Sequence, residues 1–257
     1  MKIATWNLER PKASQREKLD GLRDRMLAVE ADIWILTETN SCVSPGPDYR
    51  CVASTPISGP ERYWPGENRT TIWSRFPIEK AIETHDHETA VCAEIKHGDS
   101  LILVYGTIIP YHAAGTKYPY RFEGKVVSGR KGWELHYESI GNHAADWWRL
   151  RKKFQNHSMC VAGDLNQNRD GRRWYGTKAG REELGLALSG ADMTCVTERE
   201  IQSKAGEVLN PVIDHICLDR KLAERVSSVQ GWAPARTAAG RRLSDHIGLC
   251  VDLAPTC

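Results

Sequence analysis

No apolar run in this sequence approaches the ~20 residues that a bilayer-crossing helix needs, so no membrane partner is expected. No charged-then-apolar leader follows Met1, where a strand pattern begins at once, so no secretory signal is expected either. The eight cysteines, at 42, 51, 92, 160, 195, 217, 250 and 257, contain no C-x-x-C spacing. Most of them sit inside apolar runs, which predicts buried free thiols. These absences together point to a reducing, cytoplasmic setting. Charge of one sign is lacking too: 35 Lys and Arg stand against 33 Asp and Glu, a net +2. No global basic field therefore suggests nucleic acid, and any such binding must use a local patch. Internal repeats, low-complexity tracts and linkers are also missing. With 257 residues, 40% hydrophobic and 26% charged, the chain suits one large layered domain over residues 1–257.

What the sequence does have is a set of apolar runs with polar groups at their ends. Ser158 to Ala162 reads as a buried strand, and Gly163 permits a sharp exit that projects Asp164 and Asn166. Lys2 to Leu8 is a strand carrying Asn7 at its end, and Asp32 to Leu36 delivers Thr37, Glu38, Thr39 and Asn40. Asp214 and His215 lie inside the apolar run 212–218, while Ser244, Asp245 and His246 stand just before the run Ile247 to Leu253. Strand alternation turns His215 away from Asp214 and out of the set. The collected groups are hard oxygen donors with one imidazole, which favours Mg²⁺ or Mn²⁺ over Zn²⁺.

Between these strands, Ser14 is placed to cap a helix running to about Glu30. Residues 55 to 69 are rich in Pro and Gly and read as a loop, ending with Asn68 and Arg69 at the mouth of a strand, where they can meet a phosphate oxygen or simply be solvated. Five polar residues, Thr84 to Glu88, predict a hairpin turn in preference to a His-x-His metal site, with strands near 89–96 and 100–108. From Pro110 to Asn156, tyrosines and tryptophans, Tyr118 among them, interleave with Lys and Arg. A helix over about 139–156 accounts for Trp147, Trp148, Leu150 and Phe154 as its buried side. The loops 117–133, with Lys131, and 169–175, with Arg172, Arg173 and Trp174, suit stacking on bases and tracking a phosphate backbone.

Six segments occur in an order that resembles the endonuclease/exonuclease/phosphatase superfamily. They are Thr5-Trp6-Asn7-Leu8, Leu36-Thr37-Glu38-Thr39, Ile72-Trp73-Ser74-Arg75-Phe76-Pro77-Ile78, Gly163-Asp164-Leu165-Asn166, Ile213-Asp214-His215 and Ser244-Asp245-His246. The resemblance covers nearly the whole chain. It implies an α/β fold, a four-layer α-β-β-α sandwich of two mostly antiparallel sheets face to face with outer helices. It implies further that Glu38 is the principal metal ligand with Asn7 and Asp245 beside it, and that Asp164 orients or deprotonates the attacking water. Asn166 would hold a phosphate oxygen or the metal-bound water, and His246, fixed by Asp214, would stabilise the transition state. One departure stands out: many relatives place a His or Tyr where Ile108 falls, and Tyr111 or His112 is close enough in sequence to replace it.

The expected activity is divalent-metal-dependent hydrolysis of a phosphodiester, Mg²⁺ first and Mn²⁺ second, with DNA or RNA as substrate. The alternatives are a phosphodiesterase or phosphatase acting on a small-molecule, inositol or lipid phosphate, and a binding module of the same fold without activity. The presence of Glu38, Asp164 and His246 speaks against the last.

Overall fold

The computed structural model describes residues 1–57, 64–117 and 119–255; Gly59 and Pro60 of the expected loop, Tyr118 and Cys257 lie outside the described residues. In chain order come β1 (Lys2–Asn7), α1 (Arg16–Val29), β2 (Ile33–Asn40), β3 (Arg50–Ala53), β4 (Glu67–Ser74) and β5 (Ile78–Ile82). There follow β6 (Ala90–His97), β7 (Ser100–Ile108), the ribbon β8 (Tyr120–Phe122) and β9 (Lys125–Val127), α2 (Glu134–Lys153) and β10 (Ser158–Asp164). The last third holds α3 (Lys178–Gly190), β11 (Met193–Cys195), β12 (Ile201–Gln202), β13 (Val208–Leu209), β14 (Asp214–Asp219), α4 (Arg220–Ala223), β15 (Val226–Trp232) and β16 (Gly248–Leu253).

Two six-stranded sheets result, ordered β15-β16-β1-β2-β4-β3 and β11-β14-β10-β7-β6-β5. Each has one parallel pair at its centre, β1 with β2 and β10 with β7, flanked by antiparallel neighbours. Strand alternation divides the apolar residues into layers. Ile3, Ile33, Ile35 and Val251 of the first sheet meet Val104, Cys160, Ala162 and Ile216 of the second in a common interior. The opposite face of the first sheet, with Ala4, Trp6 and Trp34, packs on Leu22 and Met26 of α1. The far face of the second, with Met159 and Val161, packs on Ile140, Trp147 and Leu150 of α2 and Leu184 of α3. This is the expected α-β-β-α sandwich.

Three local expectations are corrected. Gln15, not Ser14, stands at the cap of α1 and makes no side-chain cap bond. Helix α2 starts at Glu134, because that carboxylate accepts the Lys131 backbone N–H at 2.9 Å and fixes the turn before it. On the same helix Trp148 is 52% exposed, with the Lys152 ammonium 3.8 Å from its ring centroid, so it covers the solvated face and not the buried one.

Two histidines of α2 are buried and neutral. His136 takes the Pro110 carbonyl at Nδ1 (2.8 Å) and the Gln167 side-chain amide at Nε2 (2.7 Å). His143 lies between the Tyr105 hydroxyl and the Thr107 hydroxyl, each at 3.0 Å, and Tyr105 also donates to Asp146. Burial pushes both imidazoles down to about 4. A folded-state value below the unfolded 6.5 means that the unfolded chain binds the proton more readily, so their stabilisation is complete above pH 6.5 and is lost as pH falls toward 4. The loss amounts to roughly 3 kcal/mol apiece. The melting temperature should therefore drop between pH 6.5 and 4.5, and His143→Gln should show a shallower drop than the wild type; parallel curves would refute the assignment.

Candidate active site

The layer alternation that builds the interior also builds the site. Asn7 follows Ile3 and Thr5 on the inward face of β1, Asp164 follows Cys160 and Ala162 on that of β10, and Asp214 precedes Ile216 on that of β14. Asp164 and Asp214 stand directly opposite each other in the β10–β14 register. At one end of the sandwich the apolar interior thus gives way to a buried polar cluster. Glu38 is the exception to alternation, since regular pleating would put it on the face of Trp34 and Leu36. Its backbone is left-handed instead (φ 44°), and its side chain lines the cavity. Gly163 also has positive φ (138°), and a Cβ there would run into the Thr107 carbonyl oxygen of β7. Its role is close approach of β10 to β7, and the strand continues through it to Asp164, so the expected exit comes one residue later.

Hydrogen bonds tie the cluster across the two sheets. Asn7 Nδ2 donates to Asp164 Oδ2 (3.1 Å), and the Asn166 backbone N–H donates to Asp164 Oδ1 (3.0 Å). Asn7 Oδ1 accepts the Glu9 N–H at 2.9 Å, which leaves that oxygen one further lone pair. Asn166, itself left-handed (φ 49°), donates its amide to the Ile109 carbonyl (2.9 Å). His246 Nδ1 meets Asp214 Oδ2 at 2.6 Å, leaving Nε2 as the cavity-facing nitrogen, 4.0 Å from Asp245 Oδ1. Ser244 Oγ donates to the Asn7 carbonyl (2.6 Å) and accepts the His246 N–H (3.0 Å), holding the 244–246 turn against β1.

The electrostatics follow from burial. Burial opposes a charged imidazole at His246, but Asp214 and Asp164 outweigh it and raise the group to about 10. Asp164 is raised to about 8, chiefly by burial and further by Asp214 and Glu38, with His246 pulling the other way. Burial raises Glu38 too, against the pull of His246, Asn7 and Arg10. One imidazolium faces more acid than it can neutralise, and this donor set fits a divalent cation. Asp164, Asp214 and His246 present ligand-type atoms within 4.8 Å of one another. Coulomb repulsion from the Asp214-bound imidazolium disfavours a cation there. Glu38 and half-exposed Asp245, at the cavity edge, are carboxylates that could hold such an ion away from that charge.

The cavity, of about 540 Å³, is lined by Glu38, Asp164, Asn166, Asp245, His246 and Arg69 among the expected residues. Asn7 and Asp214 support it from behind. Asn68 does not line it: it lies within β4, 4% exposed, and its amide donates to the Ser54 carbonyl (2.8 Å), so the expected solvated loop end is a paired strand. Arg69, also buried, donates to the Arg121 carbonyl (2.8 Å) and lies over the Tyr120 ring at 4.3 Å. Lys131, Arg172, Arg173 and Trp174 are exposed and absent from the lining, and Arg172 pairs with Glu200 at 2.7 Å. His112 is exposed and does not line the cavity; it meets lining residues through the Tyr175 hydroxyl, 3.2 Å from its Nδ1, and through the Tyr111 ring. Ile108, adjacent to Asp164 in the β7–β10 register, does line the cavity, and so does Tyr111. Sequence reasoning missed Arg10, Glu67, Tyr120 and Tyr175. Tyr120 and Tyr175 carried a signal, as aromatic residues within the two basic and aromatic loops 117–133 and 169–175.

The Endonuclease/Exonuclease/phosphatase family model matches residues 4–246. No curated protein sequence matches the chain. Among solved structures, an AP endonuclease from Archaeoglobus fulgidus is 17% identical over 98% of this chain and 99% of its own, with a TM-score of 0.66. A 3'-5' exonuclease from Neisseria meningitidis is 16% identical over 98% and 99%, with a TM-score of 0.63. Humanized D. rerio TDP2 is 14% identical over 98% and 97%, with a TM-score of 0.57. Identities this low show a shared fold.

The contact between His246 and Asp214 makes them one unit. Both single variants, His246→Ala and Asp214→Asn, are expected to lose on the order of 10²–10³ in turnover. The double variant should be scarcely worse than His246→Ala. Multiplicative losses, in variants shown to be folded by circular dichroism, would separate the two roles.

Proposed function

The chain belongs to the endonuclease/exonuclease/phosphatase family, whose members are metal-dependent phosphoester hydrolases, and on that premise we propose that it is a Mg²⁺-dependent phosphodiesterase acting on DNA or RNA. The observation that carries this is one cavity uniting Glu38, Asp164, Asn166, Asp245 and His246 under a wall of Arg10, Arg69, Tyr111 and Tyr120. All-oxygen donors favour Mg²⁺, with Mn²⁺ as substitute. Held by Glu38 and Asp245, with the spare Asn7 lone pair nearby, such an ion supplies charge neutralisation at a phosphoryl oxygen. Asp164, fixed by Asn7 and the Asn166 N–H, orients the attacking water and takes its proton, a task for which a carboxyl raised toward neutrality is suited. His246 donates from Nε2 to a phosphoryl oxygen as negative charge builds there, and Asp214 holds it in the cationic form. The cationic and aromatic wall is chemically matched to a phosphate backbone and a base.

The second reading is a small-molecule phosphoesterase. Its support is that Lys131, Arg172 and Arg173 lie outside the cavity, which leaves Arg10 and Arg69 as the guanidinium groups of the lining beside the His246 imidazolium. Arg10 also grips Glu67 in two bonds, Nε–Oε1 at 2.6 Å and NH2–Oε2 at 3.0 Å. Residues 1–257 are proposed to act as one catalytic domain. A cytoplasmic setting fits the free thiols at 42, 51, 92, 160, 195, 217 and 250. No helix among the described residues is long and apolar enough to cross a membrane.

Hydrolysis of single-stranded DNA, duplex DNA, RNA and bis(4-nitrophenyl) phosphate, each titrated with Mg²⁺, tests the reading. The wild type should cleave at least one polymer. Glu38→Gln should need far more Mg²⁺ for half-maximal rate with its fold intact. Cleavage of the dye alone would favour the second reading, and an unchanged Mg²⁺ requirement would remove Glu38 from the metal seat.

A further inference from the structure

Cleaving an unactivated phosphodiester leaves an alkoxide, which needs a proton as the bond breaks. At the β7 position paired with Asp164, this chain offers the hydrocarbon of Ile108, and the β14 position on the other side holds Asp214, which is bonded to His246. His246 is already committed through Nδ1 to Asp214, and its charge serves the phosphoryl oxygens. The proton must come from another element.

Tyr175 meets the requirement. It lies in the loop between β10 and α3 and lines the same cavity as Asp164, Asn166 and Ile108. Several contacts hold it there. Its carbonyl accepts the Asn168 N–H at 3.0 Å, closing the 169–174 loop. The next residue, Gly176, has φ 96° and lies against the Gln167 side chain with no room for a Cβ. The Tyr175 ring packs edge-on against Trp133 (5.6 Å between centroids) and His112 (6.2 Å). Its hydroxyl is 3.2 Å from His112 Nδ1, and His112 is exposed to solvent. The other two phenols of the lining are placed differently: Tyr120 carries the Arg69 guanidinium on its face, and Tyr111 is 41% exposed.

We propose that Tyr175 is the general acid of the phosphodiester hydrolysis proposed above, with His112 behind it as its link to solvent. When the bond from phosphorus to the leaving oxygen breaks, its electron pair stays on that oxygen, which takes the Tyr175 hydroxyl proton. The phenolate then recovers a proton from His112 Nδ1 as His112 Nε2 takes one from water, so the imidazole relays the proton and changes tautomer without becoming an anion. Burial, with Asp164 adding to it, keeps Tyr175 above the ordinary tyrosine value, so the proton is in place at neutral pH.

The test uses methyl, phenyl and 4-nitrophenyl esters of one nucleoside 5'-phosphate, which differ in how much their leaving oxygen needs a proton. Wild type, Tyr175→Phe and His112→Ala are compared by kcat with saturating Mg²⁺. Tyr175→Phe should lose on the order of 10²–10³ on the methyl ester, within the range for a general acid, and at least tenfold less on the nitrophenyl ester. His112→Ala, acting through Tyr175, should show a smaller loss with the same dependence on leaving group. Equal losses of Tyr175→Phe on all three esters, or none on the methyl ester, would overturn the assignment. A wild type that hydrolyses neither these esters nor any of the polymers named above would instead overturn the phosphodiesterase reading, and this inference with it.

Discussion

Two sheets packed face to face must share an interior, and at the end where β1, β2, β10 and β14 present their polar tips that interior is filled with acids. Asp164 and Asp214 sit on the face that a few residues along carries Ala162 and Ile216. Burying carboxylates costs several kcal/mol per ion unless charge or hydrogen bonds answer them. Part of the answer is internal: Asp214 pairs with His246, and Asp164 takes the Asn7 amide and the Asn166 N–H. Both arrangements join the first sheet, or the turn leading into β16, to the second. The residual acidity at Glu38 and Asp164 remains to be met by a cation or a proton.

Everything around the cluster limits how it can move. The 244–246 turn is held on β1 through Ser244, and Trp6 Nε1 donates to the His246 carbonyl at 3.2 Å. The loops that wall the cavity are tied to α2, where His136 bridges the Pro110 carbonyl and the Gln167 amide. A ring-to-ring sequence of Tyr111, His112, Trp133 and Tyr175 runs along that wall. The left-handed backbones of Glu38 and Asn166 store strain where geometry matters, a cost that the surrounding bonds sustain. Such a site is preformed, which suits chemistry that depends on charge placement more than on closure.

Local pattern in the sequence by itself determined the principal strands, the long outer helices to within a turn and the strand-tip groups from Asn7 to His246, because apolar alternation and strand-end polarity are local, while the four-layer order was implied only by the family resemblance. Alternation even placed His215 correctly, away from Asp214 and bonded to Thr197 and the Gln167 carbonyl. Only the tertiary structure decided which basic and aromatic residues face the cavity. Lys131, Arg172 and Arg173 sit in the right loops but point elsewhere, and Asn68 is drawn into β4 by pairing with Thr39. Tyr175 reaches Asp164's cavity because the 169–174 loop closes back on Asn168 and its ring packs on Trp133 and His112, which are far from it in sequence. Glu38 enters the cavity only because its backbone breaks the strand's alternation. Loop direction and such breaks depend on contacts between distant segments, which local pattern does not encode.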